Sequence, residues 1–225
     1  MKTISLSIDN KKVSAQEGDI LLWVALENGF YIPHLCALKE RVPPFAGCRL
    51  CFVEIEGCPE PVTACTETIR EGMVVKTKTE KVLRLQRTAF ELILSNHHVD
   101  CGHCGKNKKC ELQKIAAHLK VKLKSKRFRL IPKNLPLDDS HPLFTYDPDK
   151  CVLCGRCVWV CREQQKVGLL NFAYRGFNML VTTFEDPLAM GTTCTCTRCR
   201  KCVETCPVGA LLFKEEQQIK EEHNA

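Results

Sequence analysis

Residues 151–161 read CVLCGRCVWVC, and residues 196–207 read CTRCRKCVETCP. The two runs share one rhythm. Cys151, Cys154 and Cys157 are each separated by two residues, with Cys161 after three more; Cys196, Cys199, Cys202 and Cys206 repeat the pattern, and Pro207 follows. Two-residue loops let successive thiolates converge on neighbouring irons of one cubane, while a fourth cysteine set further along points away. The runs therefore exchange their fourth ligands. Cys151, Cys154, Cys157 and Cys206 are assigned to one [4Fe–4S] cluster, and Cys196, Cys199, Cys202 and Cys161 to the other. The competing use of such cysteines is a pair of zinc ribbons built on CxxC pairs. Two complete CxxCxxCxxxC runs, the second closed by proline, favour iron–sulfur. This spacing is that of a two-cluster ferredoxin.

Two further groups lie upstream. Cys36, Cys48, Cys51 and Cys65 form Cys-x11-Cys-x2-Cys-x13-Cys. The CxxC and a distant fourth cysteine suit a [2Fe–2S] cluster, but the usual first gap is four residues, and spacing alone leaves zinc open. Gly47 beside Cys48 would let the backbone come close to a cluster. His97, Cys101, Cys104 and Cys110 form His-x3-Cys-x2-Cys-x5-Cys. These could hold zinc or a [4Fe–4S] cluster with one imidazole ligand, which would make the cluster less negative and raise its potential. His98 and His103 are alternative ligands by spacing. The count closes: 15 of 17 cysteines and one histidine supply four sets of four. Cys58, in a Gly-Cys-Pro turn, and Cys194 are left over.

Seventeen cysteines in 225 residues imply disulfides or metal. The start of the chain leads into an alternating strand, with no apolar core of a secretory signal, so the expected compartment is the reducing cytoplasm, where metal is the better reading. No apolar run approaches the roughly 18 residues of a membrane span. The formal charge of +7 suggests nucleic acid at first sight. Thiolate-ligated clusters of roughly −2 each, and one histidine-ligated cluster of roughly −1, would add about −7 and leave the loaded protein near neutrality. No nucleic-acid partner is expected.

The coarse fold reading is α+β. In residues 1–78, Ile4, Leu6 and Ile8 alternate as a strand, 9–12 turn, a strand surrounds Val13, and a helix covers 20–28, with Asp19 as its cap and Gly29 as its stop. Strands follow at 51–55 and 73–76, giving a [2Fe–2S] ferredoxin-like β-grasp domain. Residues 79–130 form a small helical domain: Val82, Leu85, Phe90, Leu92 and Ile93 share one helix face, and Leu112, Ile115, Ala116 and Leu119 mark a second helix after the cysteine loop. Residues 131–146 are a proline-bearing linker. Residues 147–213 hold the two cubane runs around a hairpin at 167–184 turning near Gly176, and 214–225 form a charged tail. The basic run 120–129, with Lys106, Lys108 and Lys109, is a solvated face or a docking face for an acidic partner such as ferredoxin. Trp159 reads as packing rather than as an electron relay.

The stretches Glu27–Cys36 (ENGFYIPHLC), Gly47–Cys51 (GCRLC) and Asn96–Cys101 (NHHVDC) carry a family resemblance. Together with the domain order, the chain resembles the N-terminal half of the complex I large iron–sulfur subunit, the electron-entry region of [FeFe] hydrogenases, and the small diaphorase subunit of bidirectional NAD-linked hydrogenases. The resemblance spans about residues 1–213. It implies that the eleven-residue gap belongs to a [2Fe–2S] cluster and that His97, rather than His98, is the imidazole ligand. It implies one [2Fe–2S] and three [4Fe–4S] clusters in all. It further implies a non-catalytic electron-transfer subunit of a multimeric oxidoreductase, working between a flavin subunit that handles NAD(P)H, or free ferredoxin, and a catalytic subunit of the hydrogenase or formate dehydrogenase type. No GxGxxG fingerprint or nucleophile–base constellation is present, so no bound dinucleotide and no catalytic residue are expected. The rival readings are a zinc-stabilised binding module and a cluster carrier.

Overall fold

The computed structural model describes residues 2–124, 127–183 and 196–214. Phe184, Cys194 and the tail beyond Lys214 lie outside the described residues. The chain divides into two compact units, Met1–Leu92 with His118–Val121 and Ile93–Ala117 with Lys122–Ala225. Both helices and strands are present, as an α+β reading requires.

In the first unit, β1 (Thr3–Ile8) buries Ile4, Leu6 and Ile8 and pairs antiparallel with β2 (Lys11–Gln16), Ile8 facing Lys11. The two-residue link is Asp9 and Asn10, both left-handed at φ 47° and 66°. That is a turn whose twist matches the strands and which Asn and Asp tolerate best after glycine. The Asp9 carboxylate then accepts from the Thr77 amide at 2.7 Å and the Thr77 hydroxyl at 2.6 Å, tying this turn to the end of β5 (Val74–Lys76). With β3 (Phe52–Ile55) and β4 (Val62–Thr63) the sheet runs β2-β1-β5-β3-β4, with β1 and β5 parallel. The helix α1 (Leu21–Glu27) buries Leu21, Leu22, Val24 and Ala25 in one cluster with Ile4, Ile8, Val53 and Val75.

Asp19 does not cap α1. Its carboxylate accepts from the Gln16 amide at 3.2 Å, and the first helical amides, Leu21 and Leu22, donate instead to the carbonyls of Glu67 and Ala64. The orphan donors of a helix start are met here by distant backbone, so no capping side chain is needed. Gly29 ends the helix in a left-handed turn at φ 80°. α2 (Glu80–Leu94) buries Val82, Gln86, Phe90 and Leu94 at a spacing of four, while Leu92 faces outward at 48% exposure. Gln86 lies on the apolar stripe because its amide donates to the Phe52 carbonyl at 2.9 Å.

In the second unit, α3 (Glu111–Leu119) starts after the cysteine loop and buries Leu112, Ile115 and Ala116, while its last two residues, His118 and the buried Leu119, belong to the first. Residues 131–137 run without helix or strand. β6 (Phe144–Tyr146) then pairs antiparallel with β9 (Leu211–Phe213), every residue of both strands buried. Between them come α4 (Arg156–Trp159), a wider helical turn at Val160–Gln164, and the hairpin of β7 (Leu170–Ala173) and β8 (Leu180–Thr183), which turns through Gly176–Asn178. The short helix α5 (Lys201–Glu204) completes the unit. No helix among the described residues is long and apolar enough to cross a membrane.

Candidate metal centres

The first centre is built by the sheet. Pairing of Phe52 with Thr63 brings the start of β3 beside the end of β4, and the Ala64 amide donates to the Cys51 carbonyl at 2.8 Å, so Cys51 and Cys65 are neighbours. The long loop after α1 supplies Cys36 and Cys48, whose amide lies 3.4 Å from the Cys36 sulfur. A thiol–thiol hydrogen bond with Cys48, then burial, pushes the Cys36 thiol up; the same thiol–thiol bond holds Cys48 down, against the opposing push of burial. Cys51 and Cys65 form an equivalent pair, Cys51 raised and Cys65 lowered by their shared hydrogen bond. Cys48 also raises Cys51 and Cys65 electrostatically. A Cβ at Gly47 would meet the Phe45 ring at 2.7 Å, so the missing side chain also makes room for an aromatic ring.

The second centre lies in the loop before α3. Burial raises Cys110, and Cys104 and Cys101 raise it further. His97 Nδ1 lies 2.9 Å from the Lys150 carbonyl. A carbonyl can only accept, so Nδ1 carries the proton and Nε2 keeps its lone pair. Burial lowers the His97 pKa and favours the neutral ring that a metal needs. His103 instead faces Asp100 at 3.0 Å, and His98 is exposed. Lys150 borders both halves of this centre: its carbonyl holds His97, and its ammonium, paired with Asp147 at 2.8 Å, also feels Cys104. Gly209 abuts the loop, where a Cβ would fall 2.4 Å from the Cys104 sulfur.

Cys206, from the second run, lies with the cysteines of the first. Cys154 is raised by burial and then by Cys206 and Cys151, and Cys157 senses Cys154, Cys151 and Cys206. These four line one pocket walled by Val152, Val181, Val208, Ala210 and Leu211. Cys202 is pushed up to about 12 by burial, with further contributions from Cys161, Cys199 and Cys196. The backbone repeats as well. Leu153 and Gly155 are left-handed at φ 52° and 71°, and Arg198 and Arg200, at the matching places in the second run, at 54° and 65°. Such a backbone costs Arg200 roughly 1 kcal/mol that a glycine would not pay. Its guanidinium lies 3.8 Å over the Phe213 ring, which offsets that cost.

A recurrent donor runs through the centres. The amide two residues after a cysteine lowers that cysteine's pKa at Leu50 beside Cys48, Leu112 beside Cys110, Leu153 beside Cys151 and Arg156 beside Cys154, and the Arg198 amide donates to the Cys196 sulfur at 3.4 Å. Amide donors stabilise negative charge on sulfur. Buried thiols that raise one another's pKa cannot all ionise alone, whereas iron cations make coordinating thiols ionise outright. Three sets of four cysteines and one of three cysteines with His97, with apolar walls and amides near sulfur, are the donors that iron–sulfur clusters take.

Comparison with known proteins agrees with that chemistry. Residues 1–80 match the 2Fe-2S iron-sulfur cluster binding domain, and residues 86–124 the NADH-ubiquinone oxidoreductase-G iron-sulfur binding region. Residues 143–165 and 195–212 each match a 4Fe-4S binding domain. The crystal structure of an NAD+-reducing [NiFe]-hydrogenase in the H2-reduced state superposes with a TM-score of 0.81 at 30% identity, covering 94% of this chain and 87% of that one. The chain belongs to the iron–sulfur electron-transfer subunits of the NADH-quinone oxidoreductase G and NAD-reducing hydrogenase family. The NADPH-Fe(3+) oxidoreductase subunit alpha of Geobacter sulfurreducens is 34% identical over 94% of this subunit, and the NADP-reducing hydrogenase subunit HndD of Solidesulfovibrio fructosivorans is 35% identical over 96%. The subunit spans only 24% and 37% of the length of these two curated relatives. One 2Fe–2S domain followed by several 4Fe–4S domains is thus its organisation.

Tyr146, Lys150 and Gly209 were not marked by sequence reading. None lies in a ligand motif, and only the fold brings them to the sulfurs.

Proposed function

We propose that this subunit carries four clusters and relays electrons between an NAD(P)H-linked flavin subunit, or free ferredoxin, and a catalytic subunit of the hydrogenase or formate dehydrogenase type. Cys36, Cys48, Cys51 and Cys65 would hold a [2Fe–2S] cluster, and His97, Cys101, Cys104 and Cys110 a [4Fe–4S] cluster with one imidazole ligand. Cys151, Cys154, Cys157 and Cys206, and Cys196, Cys199, Cys202 and Cys161, would hold two more [4Fe–4S] clusters. The proposed domains are 1–78, 79–130 and 147–213, joined by a linker at 131–146 and followed by a tail at 214–225, in a cytoplasmic complex.

When bound, such clusters take up and release single electrons. The residues around them supply the ligands, exclude water and donate hydrogen bonds to sulfur. His97, fixed by the Lys150 carbonyl, would supply a neutral ligand in place of a thiolate. The observation that supports the reading is that Cys206, from the second run, lines one buried pocket with Cys151, Cys154 and Cys157 of the first. Two independent metal modules would have no reason to share ligands. The test is anaerobic affinity isolation of the tagged protein from its own cells, followed by NADH or NADPH addition. Bleaching of the cluster absorbance with a co-isolated flavoprotein present, and none after that protein is removed, is the expected result. Co-isolation of nucleic acid or of no redox protein would count against it.

A further inference from the structure

Tyr146 sits in β6, 5% exposed, in the pocket lined by Cys151, Cys154, Cys157 and Cys206. Its hydroxyl oxygen accepts from the Val181 amide at 3.2 Å. An amide N–H can only donate, so the single hydroxyl proton must serve another acceptor. The acceptors it shares this pocket with are the cysteine sulfurs, and Cys151 is the one with which the hydroxyl interacts. The result is a directed chain, Val181 N–H to Tyr146 O–H to Cys151 Sγ, in which each bond polarises the next. In the second run the position five residues before the first cysteine is Gly191, which has no side chain to donate.

We infer that Tyr146 is a potential-setting residue: through Cys151 it raises the reduction potential of the cluster held by Cys151, Cys154, Cys157 and Cys206, and so separates that cluster in potential from the one held by Cys196, Cys199, Cys202 and Cys161. The inference rests on the cluster assignment proposed above. Reduction adds negative charge that spreads onto the sulfurs, and a donor aimed at a sulfur stabilises the reduced form more than the oxidised form. The hydroxyl adds to the amide donors from Leu153 and Arg156, which serve the same ligand set.

The test is redox-poised EPR on the anaerobically purified holoprotein, wild type against Tyr146→Phe and against protein with 3-fluorotyrosine at position 146. In Tyr146→Phe the ratio of reduced to oxidised cluster at a fixed potential should fall about tenfold, equivalent to about 59 mV for a one-electron couple. Fluorotyrosine, a stronger donor of the same shape, should move the same signal the opposite way, which a merely structural role would not do. The other signals should keep their wild-type ratios. Full cluster loading with every signal unshifted in both proteins would overturn the inference. If Tyr146→Phe fails to load, the fluorotyrosine protein decides: a raised ratio supports the inference and an unchanged one overturns it. Wild-type protein with zinc instead of iron at these cysteines would remove the assignment itself, and the inference would fall with it.

Discussion

Replacing Gly209 by alanine should dislodge one ligand of the middle cluster while leaving its sequence motif intact. A Cβ at position 209 falls 2.4 Å from the Cys104 sulfur, with the Lys106 Cβ next at 3.5 Å. Ordinary contact begins near 3.4 Å, so the sulfur or the 209 backbone must retreat by about 1 Å. Metal–ligand distances tolerate about 0.2 Å. The retreat is about five times that tolerance, and the backbone has little freedom to absorb it. Pro207, two residues away, accepts from the Glu111 amide at 3.0 Å at the start of α3, and Ala210 accepts from Asp147 at 2.8 Å. Overpacking of this kind costs about 1–3 kcal/mol even where no ligand is displaced. Gly105→Ala is the control: its Cβ would meet Leu212 methyl groups at 2.8 and 3.1 Å, the ends of a side chain that can rotate away. Iron analysis and low-temperature EPR of anaerobically reconstituted protein give the readout. Gly209→Ala should lose about four irons per chain and the middle-cluster signal, and Gly105→Ala should keep both. Full iron and an unaltered middle-cluster signal in Gly209→Ala would refute the placement of Cys104 against this turn.

His97→Cys should still bind the middle cluster but lower its potential, because a thiolate adds negative charge where the neutral ring has none; redox titration checks this, and His98→Ala should leave the potential in place. Asp9→Ala removes the carboxylate that accepts two hydrogen bonds from Thr77 and puts alanine at a left-handed position, so the first unit should lose about 2 kcal/mol, read from urea unfolding monitored at the [2Fe–2S] absorbance. Asp9→Asn, which keeps an acceptor and tolerates that backbone, should lose less.

Much of this was legible because it is local. Alternation of Ile4, Leu6 and Ile8, the turn at Asp9 and Asn10, the stop at Gly29 and the periodicity of α2 and α3 depend on neighbours within a few residues. Cysteine spacing is equally local, since two-residue loops limit where successive sulfurs can point. Long-range pairing was not legible. β6 and β9 are three residues each and separated by most of the second unit, too short for any periodic signal. Asp19 reads as a cap because its type and place are right, but the backbone at Ala64 and Glu67 reaches the helix start first. Gln86 looks misplaced on an apolar stripe until its partner, the Phe52 carbonyl, is known. Leu92 fits the apolar face by composition, yet the buried stripe is the narrower one through Val82, Gln86, Phe90 and Leu94. Around the metal centres, ligand types were readable, but Lys150, Tyr146 and Gly209 reach the sulfurs only through tertiary structure.

The most direct test of four clusters on one chain is iron, sulfide and zinc analysis of protein purified without oxygen, with EPR of the dithionite-reduced sample. About fourteen irons with matching sulfide, one [2Fe–2S] signal and several [4Fe–4S] signals are predicted. Stoichiometric zinc, little sulfide and a silent spectrum would contradict the account and leave a zinc-bound interaction module in its place.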